Sequence, residues 1–429
     1  MEKDVKSLRR TGVFWAVTIG YGLFYVTRLS LNVLKKSIVD ESILTESQLG
    51  MVGSALFFTY AIGKLLNGFL ADLVNIRYFM AISLLICSVA NFLLGFQTAF
   101  WFFLILWTLN GWCQSTGAVS SIIAMKRWYP THRIGTVYGF SSASHNIGEA
   151  ITFPFTAFVV GALGWQWGFW SAGFLGLLGV LLIFFFLIPR PSASKDAFHE
   201  HLVVKQENIG LKQLEVLKNP MIWMLALSSA FMYIARYAVN SWGIFYFEIE
   251  KGYTVLEASS LISISSVFGI FGTIFSGLFS DKFFKGSRTI PAILMSALNL
   301  FALLLFLLVP AGYYYIDIIS MVLFGISIGV LICFVGGLMA VDIAPKEAVG
   351  AAAGVIGIAS YIAAGVQDIL SGFLIEGKKT IVDGVSMYDF DNIRYFWLIA
   401  GALSLTFLII IAGKHQKAEK ESQENYTEV

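Results

Sequence analysis

The chain has 429 residues, 57% of them apolar and 13% charged, with a formal net charge of +2. A soluble domain carries about a quarter charged residues, so this balance excludes an ordinary soluble protein. The small net charge identifies no partner by itself, and a nucleic-acid partner is not expected. Runs of roughly 20 mostly apolar residues, long enough to cross ~30 Å of hydrocarbon, recur about twelve times. Cys87, Cys113 and Cys333 all fall in apolar segments without metal-ligand spacing and read as reduced core residues. The first apolar run, from about Thr11, is too long for a cleavable signal and lacks a small-residue cleavage site.

In chain order the predicted spans are 12–34, 49–71, 77–96, 100–126, 136–158, 166–188, 221–244, 257–280, 289–310, 315–341, 349–376 and 394–413. An even number puts both termini on one side. Loops on that side hold twenty of the 29 lysines and arginines, and the opposite loops hold six, Lys35 and Lys36 among them. The remaining three, Arg28, Lys64 and Arg236, lie within spans. This bias makes the side of the termini cytoplasmic. The longest polar stretch, 189–219, begins with Pro189 and Pro191 and continues with serines and mixed charge. It reads as a cytoplasmic linker between an N-terminal six-helix half (1–188) and a C-terminal six-helix half (220–414). Residues 415–429 form a polar cytoplasmic tail expected to fray. The fold class is therefore an all-α membrane protein of twelve transmembrane helices in two halves.

Internal matches support the division. Tyr25-Val-Thr-Arg28-Leu-Ser-Leu-Asn32 and Tyr233-Ile-Ala-Arg236-Tyr-Ala-Val-Asn240 both read Tyr-x-x-Arg-x-x-x-Asn, at an offset of 208. Gly68…Asp72 after span 2 matches Gly277…Asp281 after span 8 at an offset of 209. Pro130…Gly135…Gly139 matches Pro345…Gly350…Gly354 at an offset of 215. Three matches in register argue for duplicated halves related by an axis along the membrane normal. A guanidinium inside an apolar run costs from ~3 kcal/mol upward, so it is retained for a partner or a task. Arg28 and Arg236, at matching places, read as two arms of an anion clamp in a transporter. The alternative is that both snorkel to a headgroup layer or form structural ion pairs.

These residues resemble the major facilitator superfamily and, within it, the organophosphate:phosphate antiporters, over essentially the whole chain. The glycine-to-aspartate loops followed by Arg77 and by Lys282 and Arg288 look like the superfamily's cytoplasmic signature. Tyr25–Arg28 resembles the motif carrying the family's first phosphate-binding arginine, and Arg236-Tyr237 with Trp242 the motif carrying the second. Ser144-His145-Asn146-Ile-Gly148 is similar to the element whose histidine lies near the substrate. Tyr60-Ala-Ile-Gly-Lys64 resembles a stretch with a lumen-facing lysine. Two positions depart from the family pattern: Leu29 stands where a second basic residue is common, and Glu149 where many members have glycine. The pair Gln367-Asp368 resembles the hexose-phosphate and sensor-like branch. The resemblance implies exchange of an organic phosphate, with a hexose phosphate first in line, for inorganic phosphate in a bacterial cytoplasmic membrane. Its rivals are another organic anion, such as glycerol-3-phosphate or phosphoglycerate, and a sugar-phosphate sensor that does not transport.

A phosphate monoester is a compact anion with three acceptor oxygens, and a planar guanidinium offers paired donors to two of them. Arg28 and Arg236 from opposite halves would close on it, with Tyr25 and Tyr233 one turn before them as further donors. Lys64 is either a third cation for the substrate or the partner of an acid such as Glu149 or Asp368. His145 either senses phosphate protonation, donates a hydrogen bond, or is a satisfied core residue. Glu149, one turn after His145, and Asp368 either balance excess positive charge or carry a proton, and Asp368 also suits sugar hydroxyls. Asp72 and Asp281 are assigned to gating without substrate contact. No P-loop, zinc-ligand cluster or catalytic triad is visible in the sequence, so neither a cofactor nor enzyme activity is expected. The expected partners are the phosphate substrates and membrane lipids, and the expected state is a monomer.

Overall fold

The computed structural model describes residues 2–189, 209–284, 287–345, 348–383 and 385–427. Six long helices come first: α1 (Glu2–Asp40), α2 (Glu46–Leu73), α3 (Ile76–Leu94), α4 (Phe100–Trp128), α5 (Thr131–Leu163) and α6 (Trp165–Phe186). A short α7 (Ile209–Lys218) lies in the expected linker, whose residues 190–208 are outside the described set. Then follow α8 (Pro220–Glu250), α9 (Val255–Phe284), α10 (Thr289–Leu308), α11 (Tyr314–Cys333), α12 (Met339–Ile343), α13 (Val349–Glu376) and α14 (Asp391–Thr427). Counting α11 and α12 as one span, ten among the described residues are long and apolar enough to cross a membrane by length and composition. The helices α1 and α4 complete twelve. Their middles are polar, with Arg28 in α1 and Asn110, Gln114, Ser115 and Thr116 in α4.

The described residues form two compact units. The first comprises those within Met1–Glu207, Val239–Val267 and Gly365–Asp389; the second comprises those within Asn208–Ala238, Phe268–Ala364 and Phe390–Val429. The units thus cross the sequence repeat, because the later parts of α8 and α13 and the start of α9 belong with the first six helices. In the first unit one core gathers Val13, Val17 and Phe24 of α1, Met80 and Leu84 of α3, Met125 of α4 and Ile183 of α6. In the second, Ile234, Ala363 and Ala400 are buried together, with Phe231 and Phe396 packed on them.

Local chemistry repeats along with the sequence. A capping box opens α2: the Thr45 hydroxyl accepts from the Gln48 amide, and the Gln48 side chain accepts from the Thr45 amide. The same reciprocal pair, Thr254 with Glu257, opens α9 at an offset of 209. Each box satisfies two of the orphan donors at a helix start.

Three elements differ from the sequence reading. A π-turn, Phe334–Leu338, separates α11 from α12 inside the tenth span, where Gly336-Gly337 weakens the helical ladder. A hairpin, β1 (Lys379–Val382) and β2 (Val385–Tyr388), joins α13 to α14, with Lys379 opposite Tyr388 and Val382 opposite Val385. Finally, α14 runs on through the polar tail to Thr427, a stretch rich in the helix formers Lys, Gln, Glu and Ala.

Candidate functional site

The α1 residues Tyr21, Tyr25, Arg28, Asn32 and Lys35 recur at steps of four and three, which sets them on one face of the helix. The opposite face is fixed by hydrogen bonds. The Thr27 carbonyl accepts from Asn91 of α3 (2.9 Å) and Asn110 of α4 (3.0 Å), and the Phe24 carbonyl accepts from Gln114 of α4 (2.8 Å). Ser30 donates to the Asn91 side-chain oxygen Oδ1 at 2.9 Å. Polar residues inside two apolar helices therefore hold the rotation of α1.

Arg28 is 4% exposed, with its guanidinium over the rings of Tyr60 (4.9 Å), Phe57 (5.4 Å) and Tyr25 (5.6 Å). The quadrupoles of these aromatic faces stabilise a cation withdrawn from water. The Tyr25 ring also lies 5.6 Å from the His145 ring of α5 and 5.6 Å from Tyr21. A glycine pair makes that meeting possible. A Cβ on Gly148 would stand 2.6 Å from the Gly22 carbonyl oxygen, so α1 and α5 approach this closely only without side chains there.

In the second unit, Arg236 of α8 is 8% exposed, over the rings of Tyr237 (5.3 Å) and Tyr233 (5.8 Å). Tyr233 in turn packs edge-on against Tyr361 of α13, with centroids 5.5 Å apart. Both repeated arginines thus keep a tyrosine one turn before them against their own guanidinium.

Two turns past Arg28 on the same face, Lys35 is fully buried and paired with Asp368 of α13 at 3.2 Å, itself 1% exposed. The Lys35 ammonium also lies 3.6 Å from the Trp242 ring centroid, and the Trp242 indole N–H donates to the same Asp368 oxygen at 2.5 Å. Gly50 and Gly53 of α2 make room, since a Cβ on either would collide with the Asp368 backbone or carboxylate. Between the two cations, Asn32 donates to the Asn240 carbonyl at 3.1 Å, and Asn240 donates to buried Glu149 of α5. At the start of α2, buried Glu46 accepts from Lys379 (2.9 Å) and Tyr388 (2.6 Å), which anchors the hairpin.

The candidates are thus distributed as follows. Tyr25, Arg28 and His145 come together, Tyr233 and Arg236 come together in the other unit, and Glu149 and Asp368 each have a polar partner. The partner of Asp368 is Lys35, which the loop count had placed outside span 1; the helix continues to Asp40 and carries it inward. Lys64 is exposed on α2. The side chains of Asp72 and Asp281 lie outside the described set. Lys35, Phe57 and the bridging role of Asn240 were missed. For Lys35 the signal was its spacing of seven from Arg28.

Twelve membrane-length helices, duplicated motifs and cations buried inside the spans define the class of integral membrane transporters. The profile of the Major Facilitator Superfamily matches residues 17–367. The membrane sensor protein UhpC of Salmonella typhimurium is 30% identical over 97% of this chain and 94% of its own length. A probable hexose phosphate transport protein of Chlamydia pneumoniae is 31% identical over 83% of each chain. Among solved structures, a bacterial homologue of the human lysosomal transporter Spinster, inward-facing and unoccupied, superposes with a TM-score of 0.75 at 16% identity, covering 94% of this chain and 96% of that one. The chain belongs to the Major Facilitator Superfamily and, within it, to the organophosphate:phosphate antiporter-like family.

Proposed function

We propose that the chain exchanges a hexose phosphate for inorganic phosphate by alternating access, as a monomer in a bacterial cytoplasmic membrane with both termini in the cytoplasm. One observation carries the reading: the duplicated Tyr-x-x-Arg motif places a buried guanidinium under aromatic rings in each unit. Arginine keeps its charge at such a site and meets a phosphoryl group through paired N–H donors. Ring faces near the guanidinium stabilise it as a cation, and its N–H donors lie in its own plane. Tyr25, Tyr233 and His145 supply further donors, and Lys64 adds positive charge. Asp368 is engaged by Lys35 here, so any contact with sugar hydroxyls belongs to a state in which that pair opens. Asp72 and Asp281 act in gating. The names of the relatives support a phosphorylated substrate, and the loop charge bias supports the orientation.

The test is uptake of labelled phosphate into proteoliposomes preloaded with phosphate, with glucose 6-phosphate as competitor and Arg28→Lys and Arg236→Lys in parallel. Saturable uptake that requires internal phosphate, is inhibited by glucose 6-phosphate and is lost in both variants is the expected result. Equal uptake with and without internal phosphate would refute exchange. A second reading has one specific observation in its favour, since the relative matched over 97% of the chain is named a sensor. Tight binding of glucose 6-phosphate without flux would select it.

A further inference from the structure

Outside the arginine sites, the first unit contains a cavity of about 530 Å³ between the beginning of α1 and the end of α6. Its walls are Gly12 and Trp15 of α1 and Leu182, Phe185 and Phe186 of α6, with Arg9 on its border. Trp15, Phe185 and Phe186 are all more than half exposed. An aromatic-walled recess at the end of a membrane helix pair is bordered by acyl chains and headgroups rather than by bulk water.

The neighbouring arginines behave differently. Arg10 lies over the Tyr129 ring at 5.4 Å, and Arg77 donates to the Leu187 carbonyl at 3.1 Å. Arg9 makes no ion pair, hydrogen bond or ring contact among the described residues, although it borders an otherwise apolar cavity. The recess therefore joins an oily volume to an exposed guanidinium, which is the complement of an amphiphile with an anionic head.

We propose that this recess is a binding site for an anionic phospholipid, with an acyl chain between α1 and α6 and the phosphate on Arg9. Lys3, Lys6 and Arg10 precede or flank Arg9 in sequence, and basic clusters beside a first span attract anionic lipid. The site is separate from the transport reading and does not depend on it. Gly12 is the residue that leaves the volume open. A Cβ there would meet only Phe186, at 3.8 Å, so alanine fits without strain while a larger side chain would take the space.

The test uses the full chain, delipidated in neutral detergent, and native mass spectrometry with dioleoyl phosphatidylglycerol, dioleoyl phosphatidylcholine and glycerol phosphate. Wild type is expected to retain phosphatidylglycerol several-fold more than phosphatidylcholine, with no displacement by glycerol phosphate. Arg9→Gln should reduce phosphatidylglycerol to the phosphatidylcholine level. Gly12→Phe should lose both lipids, and Gly12→Ala should keep both. Equal retention of the two lipids by wild type, or an undiminished preference in Arg9→Gln, overturns the proposal. Displacement by glycerol phosphate also overturns it, by making the site one for a soluble phosphate. Should Gly12→Phe fail to fold, the exposed Arg9→Gln variant still decides the outcome.

Discussion

Replacing Lys35 with methionine keeps the length of the side chain and removes its charge. It leaves the Asp368 carboxylate, 1% exposed, with the Trp242 indole as its remaining donor among the described residues. At 3.2 Å and an effective dielectric of about 20, the lost attraction is ~5 kcal/mol. Removal of one partner from a buried pair is observed to cost about 3–5 kcal/mol, so the two figures agree. The double variant Lys35→Met/Asp368→Leu removes both charges and should recover most of that loss, because apolar replacement of a buried pair is often neutral or stabilising. The assay is unfolding of the purified protein in detergent, followed by tryptophan fluorescence, for wild type, both single variants and the double variant. The expected order places both singles well below wild type and the double close to it. A loss below ~1 kcal/mol in Lys35→Met, or a double variant as unstable as the sum of the singles, would refute the buried-pair argument.

Three further outcomes follow from the same packing. Asn91→Leu removes a donor to Thr27 and the acceptor of Ser30, and should cost about 1–3 kcal/mol in the same unfolding assay. Gly148→Leu drives a side chain into the Gly22 carbonyl and should abolish folding or exchange, whereas Gly161→Ala, with nothing within 4 Å of its Cβ, should be silent in both measurements. Glu46→Ala removes the acceptor of Lys379 and Tyr388 and should release the hairpin, read as faster hydrogen exchange over residues 379–388 with the helices unaffected.

Much of the fold could be read in the sequence because membrane helices leave a strong local signal. The span at Ile76–Leu94 was placed to within two residues, and the Tyr-x-x-Arg repeat marked both buried guanidiniums. What escaped notice depends on partners far away in the chain. A lysine at the edge of an apolar run reads as a loop residue, and only Asp368, 333 positions later, makes Lys35 an interior one. The polar residues of α4 likewise look like a weak span until Thr27 and Phe24 are set against them. The hairpin has a local signal in Asp383-Gly384, preceded by the β-branched Thr380-Ile381-Val382 and followed by Val385, with Asp383 at φ 52° as a tight hairpin turn requires.

Arg28 and Lys35, two turns apart on one face, differ in chemistry, a guanidinium over aromatic rings and an ammonium beside a carboxylate, and the difference predicts separable roles. Lys35 has a carboxylate at 3.2 Å, so its charge is already balanced and an incoming phosphate would have to displace Asp368 to use it. Arg28 lies over the Phe57 and Tyr60 rings, and its planar guanidinium is built to meet a phosphate through paired N–H donors. Arg28→Lys should therefore weaken phosphate binding about tenfold or more, because a compact ammonium cannot make the bidentate contact, with little change in the unfolding midpoint. Lys35→Met/Asp368→Leu should do the reverse, leaving phosphate affinity within about twofold of wild type while its two single variants lose stability. Calorimetric titration of phosphate beside the unfolding curves measures both quantities on the same preparations. If the double variant lost phosphate affinity as completely as Arg28→Lys, the ion pair would belong to the anion site, and the division of the α1 face into a binding half and a structural half would be wrong.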